Sequence, residues 1–340
     1  MKNDRDNDQE LYKAYVADTK KEMDRATGLS EEKQKRIIRL GKNSARLSNI
    51  MITAAILLLI LPVTQLLTYL YYGVGGKANE LIDVASKTIY VTEPNMSLEE
   101  MELESDIGFF SMNLLFDVYK RIGKEDYDAG NYDIHFAFSK AMEPKKELTL
   151  ERPLPDYPSG VDYLYHPDAL PALDSSGERE ILEGLPDGTV AELYVSFYES
   201  AEPEAIEKWL PADLELRWVA VDTGIEGKML DSDGDPVSAV GYPAQVDNTT
   251  WSPFNGREQT NKEVFMGILN LLKEHEGTAM QISGNSLAIP ERLTYLEKNG
   301  IKAYGAVVTG PTAELRKLAD KDEIRAMKVG EVKLWNWNWK

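Results

Sequence analysis

Cysteine is absent from the 340-residue chain, and positive charge is scarce. Without cysteine the protein has no disulfide bonds and no thiolate metal site. A cysteine-free chain is also more typical of a bacterial surface protein than of an animal secreted one. The 38 Lys and Arg residues against 57 Asp and Glu residues give a net charge of −19. Nucleic-acid-binding proteins are usually basic, so no direct contact with nucleic acid is expected.

Recognisable catalytic motifs are absent as well. The sequence has no HExxH metal motif, no GxxxxGK[ST] phosphate-binding loop and no nucleophile elbow. Its three histidines, His135, His166 and His275, have no metal-ligand spacing. The sequence therefore predicts neither an enzyme activity nor a cofactor.

One acidic segment is a weak candidate for a cation site. The carboxylates of Asp231, Asp233 and Asp235 stand at the spacing of a calcium-binding loop. However, Pro236 occupies the sixth position and Tyr242 the twelfth, where such a loop has glycine and glutamate. An acidic turn is the better interpretation, and no metal is assigned.

Charged residues are missing from residues 49–72. Within them, Ile50–Tyr72 reads IMITAAILLLILPVTQLLTYLYY, which as a helix is about 34 Å long at roughly 1.5 Å per residue. A hydrocarbon core needs about 20 apolar residues, so the segment is long enough to span a membrane. A cleaved signal peptide is less consistent, because 49 residues precede the segment and no Ala-x-Ala pattern follows it. The sequence predicts one uncleaved transmembrane helix at 49–72.

The charges on either side of this helix predict its orientation. Residues 1–48 contain 12 Lys and Arg against 9 Asp and Glu, so residues 73–340 carry a net charge of −22. The positive-inside rule places the N-terminus in the cytoplasm and the large domain outside the cell membrane. Six basic residues before the span are expected to set the topology and to contact lipid headgroups: Lys33, Lys35, Arg36, Arg39, Lys42 and Arg46.

Gln65 is a polar side chain within the expected span. It offers a hydrogen-bonding site for a second membrane subunit. The alternative, which we favour, is a tolerated polar group near the interface.

A helical stripe lies in the cytoplasmic segment 1–48. Its residues recur at the spacing of one helix face and form what we call the N-terminal stripe: Leu11, Tyr12, Tyr15, Val16, Thr19 and Met23. A lone helix of about 15 residues is not stable in water by itself. The stripe therefore needs another protein, the bilayer surface or a second copy to pack against, and its mixed charges make the bilayer the weakest of the three.

Residues 73–170 are expected to form a membrane-proximal region. The pattern over residues 77–150 predicts a helix, a turn, a second helix and a strand, with Ile107–Tyr119 as a buried helix or strand pair. The alternating run Tyr132–Phe138 predicts a strand. Five prolines within residues 151–171 predict a linker.

Residues 171–340 are expected to form a C-terminal domain in which strands and helices mix without a regular βαβ repeat. This pattern predicts an α+β fold with a largely antiparallel mixed sheet and packed helices. The expected strands are Val190–Phe197, Leu214–Val221, Tyr304–Thr309 and Val332–Trp339, and the expected helices are Pro203–Leu210, Gln259–His275, Pro290–Lys298 and Pro311–Leu318.

The order of these segments resembles the sigma factor regulators, which are membrane-bound anti-sigma factors of Gram-positive bacteria. Three stretches carry the resemblance, and none of them is a catalytic motif. The first is the basic run into the span (residues 33–60), followed by VTEPN at 91–95. The second is VAELYVSF at 190–197 with LRWVAVDTG at 216–224. The third is residues 303–326, with Thr309-Gly310-Pro311-Thr312 before a helix, followed by VGEVKL at 329–334.

The resemblance implies that the cytoplasmic segment holds an extracytoplasmic-function sigma factor at the membrane, away from RNA polymerase. The outer domain would then sense envelope state or bind a second membrane protein. Because cysteine is absent, a zinc-type anti-sigma domain is excluded, and the N-terminal stripe is the natural candidate for a short helical clamp. An envelope-binding module without a sigma factor partner is the alternative, and an envelope enzyme is a third hypothesis for which the sequence nominates no residue.

Overall fold

The computed structural model describes residues 13–22, 25, 28, 30–98, 104–149, 164–169, 176–245, 252–256 and 258–334. These residues divide into two compact units, residues 1–67 and 68–340. Each unit is described separately.

Most of the described residues of the first unit are helical. Residues 13–22 form α1, and α2 (Glu31–Tyr69) contains the apolar segment and runs into the second unit. The stretch Glu31–Val74, which includes a π-helical turn at Leu70–Val74, is long and apolar enough to cross a membrane, and none of its apolar window is buried. The predicted transmembrane helix is therefore present as a continuous helix, even though Pro62 lies inside it.

The second unit begins with α3 (Lys77–Thr92) and a six-stranded sheet. The strands are β1 (Met96–Leu98), β2 (Glu104–Ile107), β3 (Ser111–Ile122), β4 (Glu125–Ala137), β5 (Lys140–Ala141) and β6 (Lys145–Leu148). Their order is β1-β3-β4-β5, with β2 also paired to β3 and β6 to β4, and every pair is antiparallel.

The prediction of a second helix within residues 77–150 is wrong, whereas the alternative for Ile107–Tyr119, a strand pair, is confirmed. The apolar run Ile107–Tyr119 forms the end of β2, a turn and most of β3. Every second residue of β3 from Met112 to Ile122 is buried, which is the period of a strand and not of a helix. The strand predicted at Tyr132–Phe138 is confirmed as the end of β4.

A second sheet occupies the C-terminal part of this unit. Its strands are β7 (Thr189–Ala201), β8 (Glu215–Asp222), β9 (Gly241–Pro243), β10 (Lys302–Pro311) and β11 (Ile324–Leu334), in the antiparallel order β11-β7-β10-β8-β9. The helices are α4 (Ser176–Gly184), α5 (Pro203–Trp209), α6 (Asn261–Glu274), α7 (Glu276–Ser283), α8 (Ile289–Asn299) and α9 (Thr312–Ala319). The α+β class and the antiparallel sheet are thus confirmed.

The C-terminal predictions agree with the structure within a few residues, apart from the last strand. That strand was expected from Val332 to Trp339, but β11 begins at Ile324, and residues beyond Leu334 lie outside those that the structure describes. The sequence pattern also missed α4 and α7. Most of the proline-rich stretch 151–171 lies outside the described residues as well.

One hydrophobic core runs through both sheets. Leu81 and Val84 of α3 belong to the same cluster as Val118 of β3 and Leu193 of β7. Trp218 of β8 is buried and donates its indole N–H to the backbone oxygen of Tyr90, at 3.2 Å. The regions 73–170 and 171–340 therefore contribute to one body, with α3 packed where the two sheets meet.

Candidate functional site

The structure places the described part of the N-terminal stripe on an exposed helix. Tyr15 is 74% exposed and Val16 is 46% exposed, and both lie in α1. The Thr19 hydroxyl donates to the backbone oxygen of Tyr15 at 2.7 Å, which is a contact within one helical turn. The other stripe members, Leu11, Tyr12 and Met23, lie outside the described residues.

The six basic residues before the span lie on the N-terminal part of α2 and are all exposed. A row of exposed cations next to an apolar helix is the arrangement that contacts anionic lipid headgroups. Their role at the membrane stays a prediction.

The acidic segment folds as a hydrogen-bonded turn. One carboxylate oxygen of Asp231 accepts from the backbone N–H groups of Asp233 (3.0 Å) and Asp235 (2.9 Å), and the other accepts from the Ser286 hydroxyl at 2.6 Å. These hydrogen bonds lower the pKa of Asp231. Asp231 therefore stabilises its own loop, and among the described residues no group of three His, Asp or Glu side chains could hold a metal ion.

A set of buried polar and charged side chains lies where β3 meets the C-terminal sheet. We call it the junction cluster, and its members are Asn95, Lys120, Glu192, Arg217 and Glu331. All five side chains are almost fully buried, yet they come from five separate segments of the chain.

Lys120 and Glu192 form the centre of the junction cluster. The Lys120 ammonium donates to both carboxylate oxygens of Glu192, at 2.9 and 3.2 Å, and to the Tyr194 hydroxyl at 3.0 Å. Burial alone would lower the pKa of Lys120, but the neighbouring Glu192 carboxylate raises it above its ordinary value. Lys120 is therefore a permanent cation that ties β3 to β7.

Asn95 connects the end of α3 to the same centre. Its amide donates to Glu192 at 2.7 Å and to the backbone oxygen of Arg121 at 3.1 Å, and its oxygen accepts from Arg217 at 3.1 Å. Asn95 has a φ of +55°, a conformation that asparagine tolerates better than most residues. The stretch VTEPN thus ends in a turn that places one amide between two charges.

Glu331 is the least satisfied member of the junction cluster. One of its carboxylate oxygens has no hydrogen-bond donor and lies 4.0 Å from the Lys120 ammonium. Burial raises the pKa of Glu331, against the opposing effect of Lys120. A second carboxylate thus lies beside the Lys120–Glu192 pair, and with Arg217 the junction cluster holds two cations and two carboxylates.

The segment Thr309-Gly310-Pro311-Thr312 also lies at the junction of the two sheets. The Thr309 hydroxyl accepts from the backbone N–H of Gly123 at 2.7 Å and donates to the oxygen of Ala191 at 2.9 Å. A Cβ atom at Gly310 would lie 2.6 Å from a methyl carbon of Leu214, so the strands approach too closely for any other residue. The motif that suggested the resemblance therefore joins the β3–β4 turn to the C-terminal sheet.

Sequence reasoning missed the junction cluster. Lys120 and Glu192 each interrupt an apolar strand, and each occupies a buried position of that strand. Charged residues at buried positions of two strands were the available signal, because such residues are almost never fully buried without a partner.

Comparison with known proteins agrees with this arrangement of two joined parts. The family model described as sigma factor regulator N-terminal matches residues 35–127, and the model described as sigma factor regulator C-terminal matches residues 182–331. The chain belongs to the sigma factor regulator family. A curated relative, the probable anti-sigma-M factor YhdL of Bacillus subtilis (strain 168), is 32% identical over 339 residues, which cover 96% of this chain and 91% of the relative. No solved structure matches the chain.

Membership of this family implies regulation of a sigma factor, and so a sigma factor as partner. The two family matches end at Tyr127 of β4 and Glu331 of β11. The junction cluster draws Asn95 and Lys120 from the first match, and Glu192, Arg217 and Glu331 from the second. In this sigma factor regulator, the two matched regions are thus held together by buried charge.

Proposed function

We propose that this sigma factor regulator is a membrane-anchored anti-sigma factor that binds an extracytoplasmic-function sigma factor through its cytoplasmic N-terminus. The observation that carries the proposal is the exposed face of α1, in a chain that belongs to this family. Tyr15 and Val16 are apolar side chains that water disfavours. A sigma factor surface would bury both of them.

The proposed membrane anchor is the apolar part of α2. Leu58 and Leu61, at 75% and 67% exposure, are typical of the side chains that this helix presents to its surroundings. A helix that is apolar all round needs lipid or other protein around it. With six exposed cations just before the apolar part and only Lys77 and Lys87 shortly after it, the cytoplasmic side is the N-terminal one.

The proposed role of the outer domain is to sense the state of the cell envelope or to bind a second membrane protein. The junction cluster supports this role, because it adds a few buried ionic contacts to the hydrophobic core that the two sheets share. A ligand that changes these contacts would change how the two sheets of the outer domain are positioned against each other. Release of the sigma factor would then follow from a change outside the membrane.

The double variant Tyr15→Asp/Val16→Asp tests the proposal. Each aspartate would need desolvation at the sigma factor surface, so binding should fail and transcription of the sigma factor's own regulon should rise. Reporter transcription in the native bacterium, with the full-length variant at wild-type abundance, measures the effect.

The matched control is Ala14→Asp/Ala17→Asp, which adds the same charge to the opposite face of α1. In this control variant, the regulon of the sigma factor should stay repressed. Equal derepression by both variants would show that added negative charge on α1, and not loss of the stripe, causes the effect. Unchanged transcription in the Tyr15→Asp/Val16→Asp variant would reject the proposed contact between the stripe and a sigma factor.

A further inference from the structure

An exposed aromatic patch lies where the second unit begins. We define it as Tyr71, Phe109, Phe110 and Phe138. The rings of Phe110 and Phe138 stack with centroids 5.0 Å apart, and Phe109 and Tyr71 each meet one of them edge-on, at 5.3 and 6.1 Å. Phe109 is 67% exposed and Phe138 is 54% exposed, so the aromatic patch is ordered by ring contacts while two of its rings face outward.

Two of these phenylalanines occupy unfavourable backbone positions. Phe110 in the β2–β3 turn has a φ of +47°, and Phe138 in the two-residue β4–β5 turn has a φ of +55°. Positive φ is a strained conformation for a bulky residue, and glycine or asparagine is the usual choice in such turns. Strain of this kind is retained at sites that act on other molecules.

Hydrogen bonds fix both turns to the end of the apolar helix. The Phe110 backbone N–H donates to the Thr68 hydroxyl at 3.2 Å. The buried Tyr72 donates its hydroxyl to the backbone oxygens of Phe138 (2.8 Å) and Phe110 (3.2 Å). Thr68 and Tyr72 lie in the last five residues of the segment 49–72 that the sequence predicts to span the membrane. The aromatic patch therefore lies beside the end of the segment that is predicted to span the membrane.

We propose that the aromatic patch inserts into the headgroup layer of the bilayer from which the outer domain emerges. Phenylalanine side chains are buried at the boundary between headgroups and acyl chains by interfacial segments, and tyrosine, whose ring is amphipathic, is favoured at headgroup level. The β2–β3 turn also contributes no charge between Asp106 and Asp117. Since residues 73–340 carry −22, attraction to anionic lipid does not drive the contact, and salt should therefore not weaken docking.

This inference rests on the membrane anchor under the proposed function. It adds that the outer domain has a fixed orientation on the membrane, set by Phe109 and Phe138. A sensing domain held in this way presents the same face to the envelope at all times.

The absence of cysteine allows a direct test with single fluorescent reporters. The full-length protein is reconstituted into vesicles of phosphatidylcholine and phosphatidylglycerol after Lys140→Cys and labelling with an environment-sensitive dye. Lys140 is exposed and lies two residues after Phe138, so both outward rings stay intact. Nitroxide lipids should quench this reporter and aqueous iodide should not, at low and high salt alike.

Lys124→Cys is the matched reporter at the opposite turn of the same β3–β4 hairpin. Because that hairpin is about a dozen residues long, at roughly 3.3 Å per residue, this reporter should respond to iodide only. Adding Phe109→Ser should move the Lys140 reporter to the iodide-accessible state. Tyr198→Ser, which removes an exposed ring elsewhere in the domain, should leave it unchanged.

Phe138→Asn separates docking from folding. Asparagine adopts positive φ more readily than phenylalanine, so the unfolding temperature should not fall while lipid quenching of the Lys140 reporter is lost. A lower unfolding temperature with unchanged quenching would mean that Phe138 serves the fold, and would overturn the proposal.

A third reporter at Leu58→Cys distinguishes the two ways of failing. If lipid quenches Leu58 while the Lys140 and Lys124 reporters respond equally to iodide, the anchor stands and the docking proposal is overturned. If lipid does not quench Leu58, the anchor itself fails. If the Lys140 reporter is shielded from both quenchers, a second copy of the chain covers the aromatic patch, which also overturns lipid docking.

Discussion

Apolar residues serve opposite purposes in the two units. Leu58, in the first unit, is 75% exposed, whereas Leu81, at the start of the second, is 2% exposed. The second unit buries its leucines in a core of its own, and the first has no core among its described residues. The exposed leucines of the first unit therefore fit the proposed membrane anchor, whereas the second unit buries its apolar residues against one another.

The largest predicted effect comes from the ion pair at the centre of the self-contained unit. Arg292 and Glu226 are both completely buried and contact each other, and Arg292 also donates to the backbone oxygens of Leu287 and Ser238. Arg292→Met would leave the Glu226 carboxylate buried without its cation. We expect a loss of about 3–5 kcal/mol in the free energy of unfolding. Urea unfolding of the full-length protein in detergent, followed by tryptophan fluorescence, measures it.

An exposed ion pair provides the control for that prediction. Arg179 is paired with Asp320 near the surface of the same unit. Arg179→Met should cost no more than about 1 kcal/mol. A similar loss of free energy of unfolding in both variants would show that burial does not determine how much the Arg292–Glu226 pair contributes to stability.

The second prediction compares the two units with the same substitution. Leu81→Ala should lower the free energy of unfolding of the outer domain by about 2–5 kcal/mol, because it leaves a cavity in the core. Leu58→Ala should leave that unfolding transition unchanged, because the Leu58 side chain is 75% exposed. Urea unfolding in detergent checks both variants, and an equal effect would break the comparison on which this account rests.

The smallest predicted effect concerns the junction cluster and depends on pH. Burial raises the pKa of Glu331 above its unfolded value of 4.5, so its contribution to stability is present below about pH 4.5 and is lost as the pH rises through the folded pKa. Glu331→Gln should therefore stabilise the protein by about 1 kcal/mol at pH 7. This gain in stability of the Glu331→Gln variant should vanish as the pH is lowered towards about 4. Thermal unfolding across this pH range measures the difference.

Asp222 supplies a control of opposite sign. Burial would raise the pKa of Asp222, but hydrogen bonds from His166 and the Gly224 backbone lower it below 3.8. Its contribution is present above pH 3.8 and is lost on further acidification. Asp222→Asn should thus destabilise the protein at pH 7. Stabilisation by both substitutions would contradict the assigned directions.

The sequence allowed prediction of the helices and strands that have one apolar face or are apolar all round. The charge-free helix, the strands β7, β8 and β10 and the helices α5, α6, α8 and α9 follow from periodicity and from proline or glycine at their ends. Helix α7 was missed because only Ala279 and Ile282 are buried in it, which is too weak a stripe. Strand β3 was ambiguous because Leu115 and Tyr119 make its second face partly apolar.

The sites were predictable only where they are local in sequence. The N-terminal stripe and the basic run are periodic patterns within a few turns of helix. The junction cluster brings together Asn95 and Glu331, which are more than 200 residues apart, and no local pattern links residues at that separation. The turn phenylalanines were missed because their positive φ contradicts residue preference, and contact with other molecules is where such preferences are broken.

The central claim is that one face of α1 holds a sigma factor. Its most direct test is affinity capture of the full-length tagged protein from crosslinked membranes of the native bacterium, with mass spectrometry of the retained proteins. The account predicts that a sigma factor is retained by the wild type and by Ala14→Asp/Ala17→Asp, and is lost from Tyr15→Asp/Val16→Asp. Retention by all three proteins would place the contact elsewhere, and absence of a sigma factor from the wild-type capture would contradict the account.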